Sequence, residues 1–293
     1  MAYPTIVSLV TAIVFPGQGS QTPGMGESVR ATAPDLHELA CELVGEDPFE
    51  RVDESTRFAQ PAIAAAGLAA HRRLQETEPA PAVLAGHSLG ELPALAAAGV
   101  LSPYDALALV ARRGALMADA ENAAPGAMAA LLGGEPEAAE ALATQHGVSL
   151  ANDNGAGQFV LSGDRDAIAA VTAAAPDEGW RVLPLAVSGA YHSPAMAPAR
   201  AGFAAALEQI DFRAPAVPVY SSATAAPFRD PARELADAVV SPVRWREVQS
   251  ALRDDIGIER IVDAGPGRVL AKLAKRTLPG IDAMTAEAIG AAA

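Results

Sequence analysis

The plainest chemistry in the chain lies in Gly86-His87-Ser88-Leu89-Gly90, where a serine sits between two glycines. A short apolar run, residues 81–85, precedes it, and an alanine-rich stretch, residues 91–98, follows. Strand, tight turn and helix is the context of a nucleophile elbow, in which the glycines give a strained turn room and the serine hydroxyl is exposed. A serine at a helix N-terminus also has free backbone N–H groups and the positive end of the helix dipole beside it, which favour an oxyanion there. Its hydroxyl alone is a weak nucleophile and needs a base.

The chain has five histidines. His37 and His71 fall in helix-like stretches beside charged residues and read as solvated surface. His146 precedes Gly147 at a helix end, where an imidazole suits the last carbonyls. His87 adjoins the serine and, on a sharp elbow, points away from it, which suits a part in holding the turn. His192 remains, in Ser188-Gly189-Ala190-Tyr191-His192-Ser193, a small-residue loop at a junction of segments where a cleft wall is expected. It is the candidate base. Arg112-Arg113 lies in a helical stretch and reads first as a solvated face with stems over apolar neighbours. The alternative is that one of the two turns inward and clamps an anion. Cys41 is the single cysteine, so neither an intrachain disulfide nor a cysteine-built zinc site is expected.

A scaffold must position these groups. With 293 residues, 51% hydrophobic, 19% charged and 4% aromatic, the chain can build one large domain or two smaller ones around alanine, leucine and valine, and disorder is excluded. The formal net charge of −14 makes nucleic acid and anionic membranes poor general partners. The N-terminal stretch, residues 2–15, has no Lys or Arg before it, and no apolar run reaches the length of a membrane span. A soluble protein of the reducing cytoplasm is expected. Residues 11–15, 81–85, 217–221 and 260–263 read as buried strands of one sheet, and residues 61–77 and 102–120 as helices, the first with Pro61 in its opening turn. Residues 126–187 read as β-α-β-β-α-β, a ferredoxin-like unit inserted into a larger α/β domain formed by residues 1–125 and 188–293. The last dozen residues read as frayed or weakly helical.

Taken together, Phe15-Pro16-Gly17-Gln18-Gly19-Ser20-Gln21, Gln60-Pro61-Ala62, the Ser88 pentapeptide with Glu91, Arg113-Gly114, Ala190-Tyr191-His192-Ser193, Ser241-Pro242-Val243-Arg244-Trp245 and Gly265-Pro266-Gly267 run in a telling order. From about residue 12 to 275 the chain resembles malonyl-CoA:acyl carrier protein transacylases. The resemblance implies an α/β fold, with a large α/β-hydrolase-like domain on a parallel sheet and the small ferredoxin-like subdomain inserted. It implies a ping-pong acyl transfer from malonyl-CoA to the phosphopantetheine thiol of an acyl carrier protein, by a monomer that needs no metal or redox cofactor. Ser88 is then the nucleophile and His192 the general base, steadied by a main-chain carbonyl in the segment of Arg244 rather than by an acid. The backbone N–H groups of Gln18 and Leu89 form the oxyanion hole, Arg113 holds the free malonyl carboxylate, and Gln60 lines the pocket.

Three features depart from the family pattern. Pro93 enters the elbow helix, Tyr191 stands where malonyl-selective relatives often have phenylalanine, and the loop of residues 152–158 differs. Tyr191 leaves a substituted malonyl unit open as substrate, and the elbow alone would also suit an editing acyl hydrolase. Fatty acid synthesis and a trans-acting role on a polyketide synthase are equally compatible. For steering an acidic carrier, Arg72, Arg73, Arg181, Arg268, Lys272, Lys275 and Arg276 are the candidates.

Overall fold

The computed structural model describes residues 9–291, so residues 2–8 of the apolar N-terminal stretch lie outside it. The chain opens with β1 (Thr11–Phe15), α1 (Met25–Thr32), α2 (Pro34–Val44), α3 (Thr56–Thr77), β2 (Val83–Gly86), α4 (Glu91–Ala97) and α5 (Pro103–Ala123). The middle follows as β3 (Ala127–Leu132), α6 (Pro136–Gln145), β4 (Ser149–Asp153), β5 (Gln158–Gly163), α7 (Arg165–Ala174) and β6 (Arg181–Pro184). The remainder is α8 (Ala197–Leu207), β7 (Val219–Tyr220), α9 (Pro231–Ala238), α10 (Trp245–Ile256), β8 (Arg260–Asp263), α11 (Val269–Thr277), β9 (Asp282–Thr285) and α12 (Ala286–Gly290).

The main sheet has the order β7-β2-β1-β8-β9, with every neighbouring pair parallel. Its central strand is short, β-branched and buried, as a sheet covered on both faces requires. Alternation divides its side chains: Ile13 and Phe15 join the core that includes Ile63 and Leu107 of α3 and α5, while Ala12 and Val14 join Trp245, Val248 and Leu273 of α10 and α11. The register sets Phe15 against Gly86, so the loops leaving β1 and β2 emerge side by side at the carboxyl edge of the sheet. In open α/β sheets that edge is where ligands bind.

The second sheet is antiparallel, in the order β4-β5-β3-β6, and its elements run β-α-β-β-α-β. Ala129, Leu131, Phe159 and Leu161 pack with Leu142 of α6 and Ile168 and Val171 of α7. Met128, Ala130 and Val160, alternating with them, line a cavity between this sheet and the main one. Backbone bonds from Asp153 N–H to the Val243 carbonyl (2.9 Å) and from Val243 N–H to the Ala151 carbonyl (2.8 Å) join β4 to the segment before α10.

Several expectations need correction. Helix α3 begins at Thr56, capped by the Ser55 hydroxyl, so Pro61 lies inside it rather than in its first turn. The last dozen residues contribute β9, paired parallel to β8, and then α12, capped by Thr285; of that dozen, residues 292 and 293 lie outside the described range. His37 and His71 are buried rather than solvated. The His37 ring stacks on Phe49 at 4.9 Å, and His71 packs near Phe15 with its pKa lowered by burial.

Candidate active site

Ser88 ends the turn after β2 with φ 53°, the left-handed region, and opens a short 3-10 turn that leads into α4. Both flanking glycines are required by space. A Cβ on Gly86 would lie 2.0 Å from the Gly90 carbonyl carbon, and one on Gly90 would lie 2.1 Å from the Phe15 oxygen. Pro93 falls in the first turn of α4, where an N–H has no helical partner, so its missing donor costs no helix bond.

The Ser88 Oγ lies 2.8 Å from the Nε2 of His192, which also has positive φ, at 55°. His192 Nδ1 lies 3.0 Å from the carbonyls of both Ala238 and Ser241. Carbonyls only accept, so the proton belongs on Nδ1 and the Nε2 lone pair faces the serine hydroxyl. Burial, and then the charge of Arg113, press the imidazole pKa down to about 3, so the ring is neutral in ordinary buffers, with its lone pair on Nε2. Arg244 is not the orienting residue. Its carbonyl accepts the Val248 N–H at 3.0 Å in the first turn of α10, whereas Ala238 ends α9, where last-turn carbonyls have no helical partner. The negative end of the α9 dipole also favours an imidazolium forming there.

Arg113 of α5 is buried. Its Nη1 donates to Gln60 Oε1 at 2.7 Å and its Nη2 to Ser88 Oγ at 3.1 Å. Burial lowers its pKa to about 10, so it stays charged at neutral pH. The neighbouring Arg112 is exposed. Gly114 lets α5 approach α3, since a Cβ there would stand 2.9 Å from the Thr56 carbonyl oxygen. Gln60 in turn donates through Nε2 to Thr56 Oγ1 (2.8 Å), and Thr56 donates to Gln18 Oε1 (2.8 Å). That chain fixes the loop after β1 beside Ser88. The backbone N–H groups of Gln18 and Leu89 have no acceptor among the described residues.

Thr56 and Glu121 were not singled out from sequence, and Glu91 stood there only as part of the serine motif, with no role of its own. Tyr191 is buried and donates its hydroxyl to Glu121; burial and that carboxylate push the phenol pKa up. Glu91, also buried, accepts from Ser222 N–H (2.6 Å), Ser222 Oγ (3.0 Å) and Ser221 Oγ (3.1 Å). Ser222 Oγ takes the Ser88 N–H at 3.3 Å, so the backbone of Ser88 is tied to Glu91. Burial raises the Glu91 pKa to about 7 against those hydrogen bonds. A Glu just past the serine motif, with two consecutive serines after a strand, was the only signal in the sequence.

His87 turns away from Ser88: its Nε2 lies 2.9 Å from Asn154 Oδ1, in the loop after β4, and its ring meets Trp245 edge-on at 5.4 Å. Ser88, His192, Arg113, Gln60, Gln18 and Tyr191 all line one cavity of about 630 Å³ between the two sheets, and Arg244 does not. A neutral base on a serine, an anion-seeking guanidinium within reach and two free N–H groups are the parts of acyl transfer through a serine ester.

The chain is 39% identical over 297 residues to the polyketide biosynthesis protein ThaF of Burkholderia thailandensis, covering 96% of this chain but only 25% of that longer protein. It is 36% identical over 299 residues to the malonyl CoA-acyl carrier protein transacylase of Escherichia coli K12, covering 95% of each. The crystal structure of the acyl-carrier-protein S-malonyltransferase from Bartonella henselae superposes with a TM-score of 0.89 at 33% identity, over 96% of this chain and 98% of that one. The family model described as the acyl transferase domain matches residues 12–292, and the chain belongs to that family.

Proposed function

We propose that this protein transfers a malonyl group from malonyl-CoA to the phosphopantetheine thiol of an acyl carrier protein through an acyl-enzyme on Ser88. The observation that carries the reading is Arg113, a buried cation 3.1 Å from the nucleophile's oxygen. An acyl chain bound as an ester there places its far end against the guanidinium, and only an acyl group ending in a carboxylate pairs with it. An acetyl or fatty chain leaves the charge buried without an anion, a loss of roughly 3 to 5 kcal/mol by the scale of broken buried pairs.

In the first half-reaction the Ser88 oxygen attacks the thioester carbon while His192 Nε2 takes its proton. The N–H groups of Gln18 and Leu89 hold the oxyanion, the C–S bond breaks, and the proton on Nε2 passes to the departing CoA sulfur. In the second, the carrier thiol loses its proton to Nε2 and attacks the ester. The C–O bond breaks and Ser88 regains the proton. The imidazolium that exists between these events rests on the Ala238 and Ser241 carbonyls in place of an acid. Residues 126–187 act as an inserted subdomain that forms the far wall of the cavity, in a monomer of the cytoplasm. Among the described residues no helix is long and apolar enough to cross a membrane.

Tyr191 and Glu121 favour a second, narrower reading, a malonyl unit with a polar substituent, because they add a hydroxyl and a carboxylate to the acyl cavity. Arg113 argues against a general esterase, whose acyl groups carry no carboxylate to pair with it. Replacing Arg113 by Ala is expected to depress malonyl transfer far more than acetyl transfer, measured side by side with the two CoA thioesters. Equal losses would remove the clamp from the account.

A further inference from the structure

Glu91 opens α4 and is 2% exposed, yet it forms no ion pair with a described residue. Asp153, another buried carboxylate, pairs with Arg246 at 2.7 Å. The two oxygens of Glu91 are unequal. Oε1 accepts all three hydrogen bonds, from Ser222 N–H, Ser222 Oγ and Ser221 Oγ, and Oε2 has no hydrogen-bond partner among the described residues. A buried carboxylate oxygen without a donor leaves the charge poorly solvated. A proton placed on Oε2 relieves that cost while Oε1 goes on accepting.

The elements packed against α4 are β1, β2, β7, α3 and α5. The buried titratable groups they carry are His71, Arg113 and Tyr220, and the half-buried Glu121 of α5 is engaged by Tyr191. Burial lowers the His71 pKa and raises that of Tyr220, so both are neutral at pH 7. His87 and His192, beside the elbow, are neutral for the same reason. Arg113 is therefore the charge that Glu91 meets. The guanidinium pulls the Glu91 pKa down against burial, and the carboxylate pulls the Arg113 pKa up against burial. The balance leaves Glu91 at about 7, divided between its two forms near neutrality.

A malonyl carboxylate seated on Arg113 cancels the attraction of the guanidinium as Glu91 feels it, and it adds a second anion to a site with one buried cation. We infer that Glu91 is the countercharge of Arg113 in the empty site and yields that role by taking a proton from solvent when the malonyl group arrives. Malonyl group and proton thus enter the site together and leave it together. The inference rests on the transacylase reading above. The atoms balance, because the Ser88 proton ends on the CoA sulfur and the acyl exchange itself binds no net proton. The additional proton stays on Glu91 Oε2 until the carrier thiol removes the malonyl group. Glu91 touches no reacting atom and is a positioning residue. Its bonds to Ser222, and through Ser222 Oγ to the Ser88 N–H, all fall on Oε1, so the elbow keeps its pose in both protonation states.

The test counts protons. The full chain, as wild type and as Glu91→Gln, is mixed with malonyl-CoA in lightly buffered solution containing a pH indicator, and the mass of the malonyl-enzyme is confirmed. At about pH 7.5 wild type is expected to take up between about one third and about three quarters of a proton per malonyl group, the upper figure being the share of Glu91 ionised there. At about pH 5.5, where Glu91 is already protonated, the uptake is expected to fall below about a tenth of a proton. Glu91→Gln is expected to take up none at either pH. No uptake by wild-type malonyl-enzyme at the higher pH would overturn the inference, as would equal uptake at both. Uptake by Glu91→Gln equal to that of wild type would overturn it too, and the two wild-type measurements stand without the variant. Wild type that gains no malonyl mass would overturn the transacylase reading instead.

Discussion

Ser88 and His192 both carry side chains in left-handed backbone, with φ of 53° and 55°. Such positions cost of order 1–3 kcal/mol each and persist only where the surroundings over-determine them. Around Ser88 that work falls to Gly86, Gly90 and the chain through Ser222 to Glu91. Around His192 it falls to two carbonyls and the serine itself. With its pKa lowered to about 3, the His192 imidazole takes up a second proton only when the pH falls to that region, not near the ordinary histidine value. Glu91, raised to about 7, is then the nearby group that titrates around neutrality. In Glu91→Gln, whose oxygen still accepts from Ser222, the rate of acylation is expected to be flat from about pH 5 to about pH 8. A limb near the ordinary histidine pKa in that variant's rate profile would contradict a desolvated imidazole. Ser88, His192 and Arg113 were legible because a motif or a process of elimination pointed to each. The histidine's carbonyl partners were not, since which carbonyls are free depends on where α9 ends, and Glu91 meets serines more than a hundred residues away.

Helix ends do much of the positioning. The start of α4 presents the elbow, the end of α9 receives the imidazole, and Asp263 anchors the start of α11. Burial raises the Asp263 pKa from 3.8 to about 7. The folded protein therefore binds this proton more tightly than the unfolded chain, and the stabilisation is lost as pH rises from the unfolded value through about 7. His71, His87 and His192, lowered by burial, pull the other way over part of that range. Those histidines are common to wild type and Asp263→Asn, so the difference between the two isolates the carboxyl. The thermal midpoint of Asp263→Asn, measured at about pH 5 and about pH 8, is expected to fall less between the two than that of wild type. An equal or steeper fall would mean that Asp263 is already ionised in the native state at the lower pH. Strands β1, β5 and β8 coincide with their sequence readings because each is a short apolar or β-branched run between turns. Strand β9, Asp-Ala-Met-Thr, has no such signature and exists because β8 offers it an edge. The burial of His37 is equally tertiary, fixed by Phe49 on a later loop.

At the scale of the whole molecule, two sheets of different topology meet across one cavity, and neither alone encloses it. The ferredoxin-like order of the second sheet was readable from the alternation of strands and helices in residues 126–187. What pattern could not give was which face of that sheet the cavity would use, since Met128, Ala130 and Val160 look as apolar as the residues packed beneath α6 and α7. The cavity brings residues of both terminal segments onto one serine, so the central claim is tested most directly by the mass of the intact protein. Wild type and Ser88→Ala would be mixed separately with malonyl-, methylmalonyl- and acetyl-CoA and weighed. The account predicts a malonyl adduct on wild type and none on Ser88→Ala. An adduct that survives in Ser88→Ala, or release of CoA from wild type with no stable adduct, would contradict it.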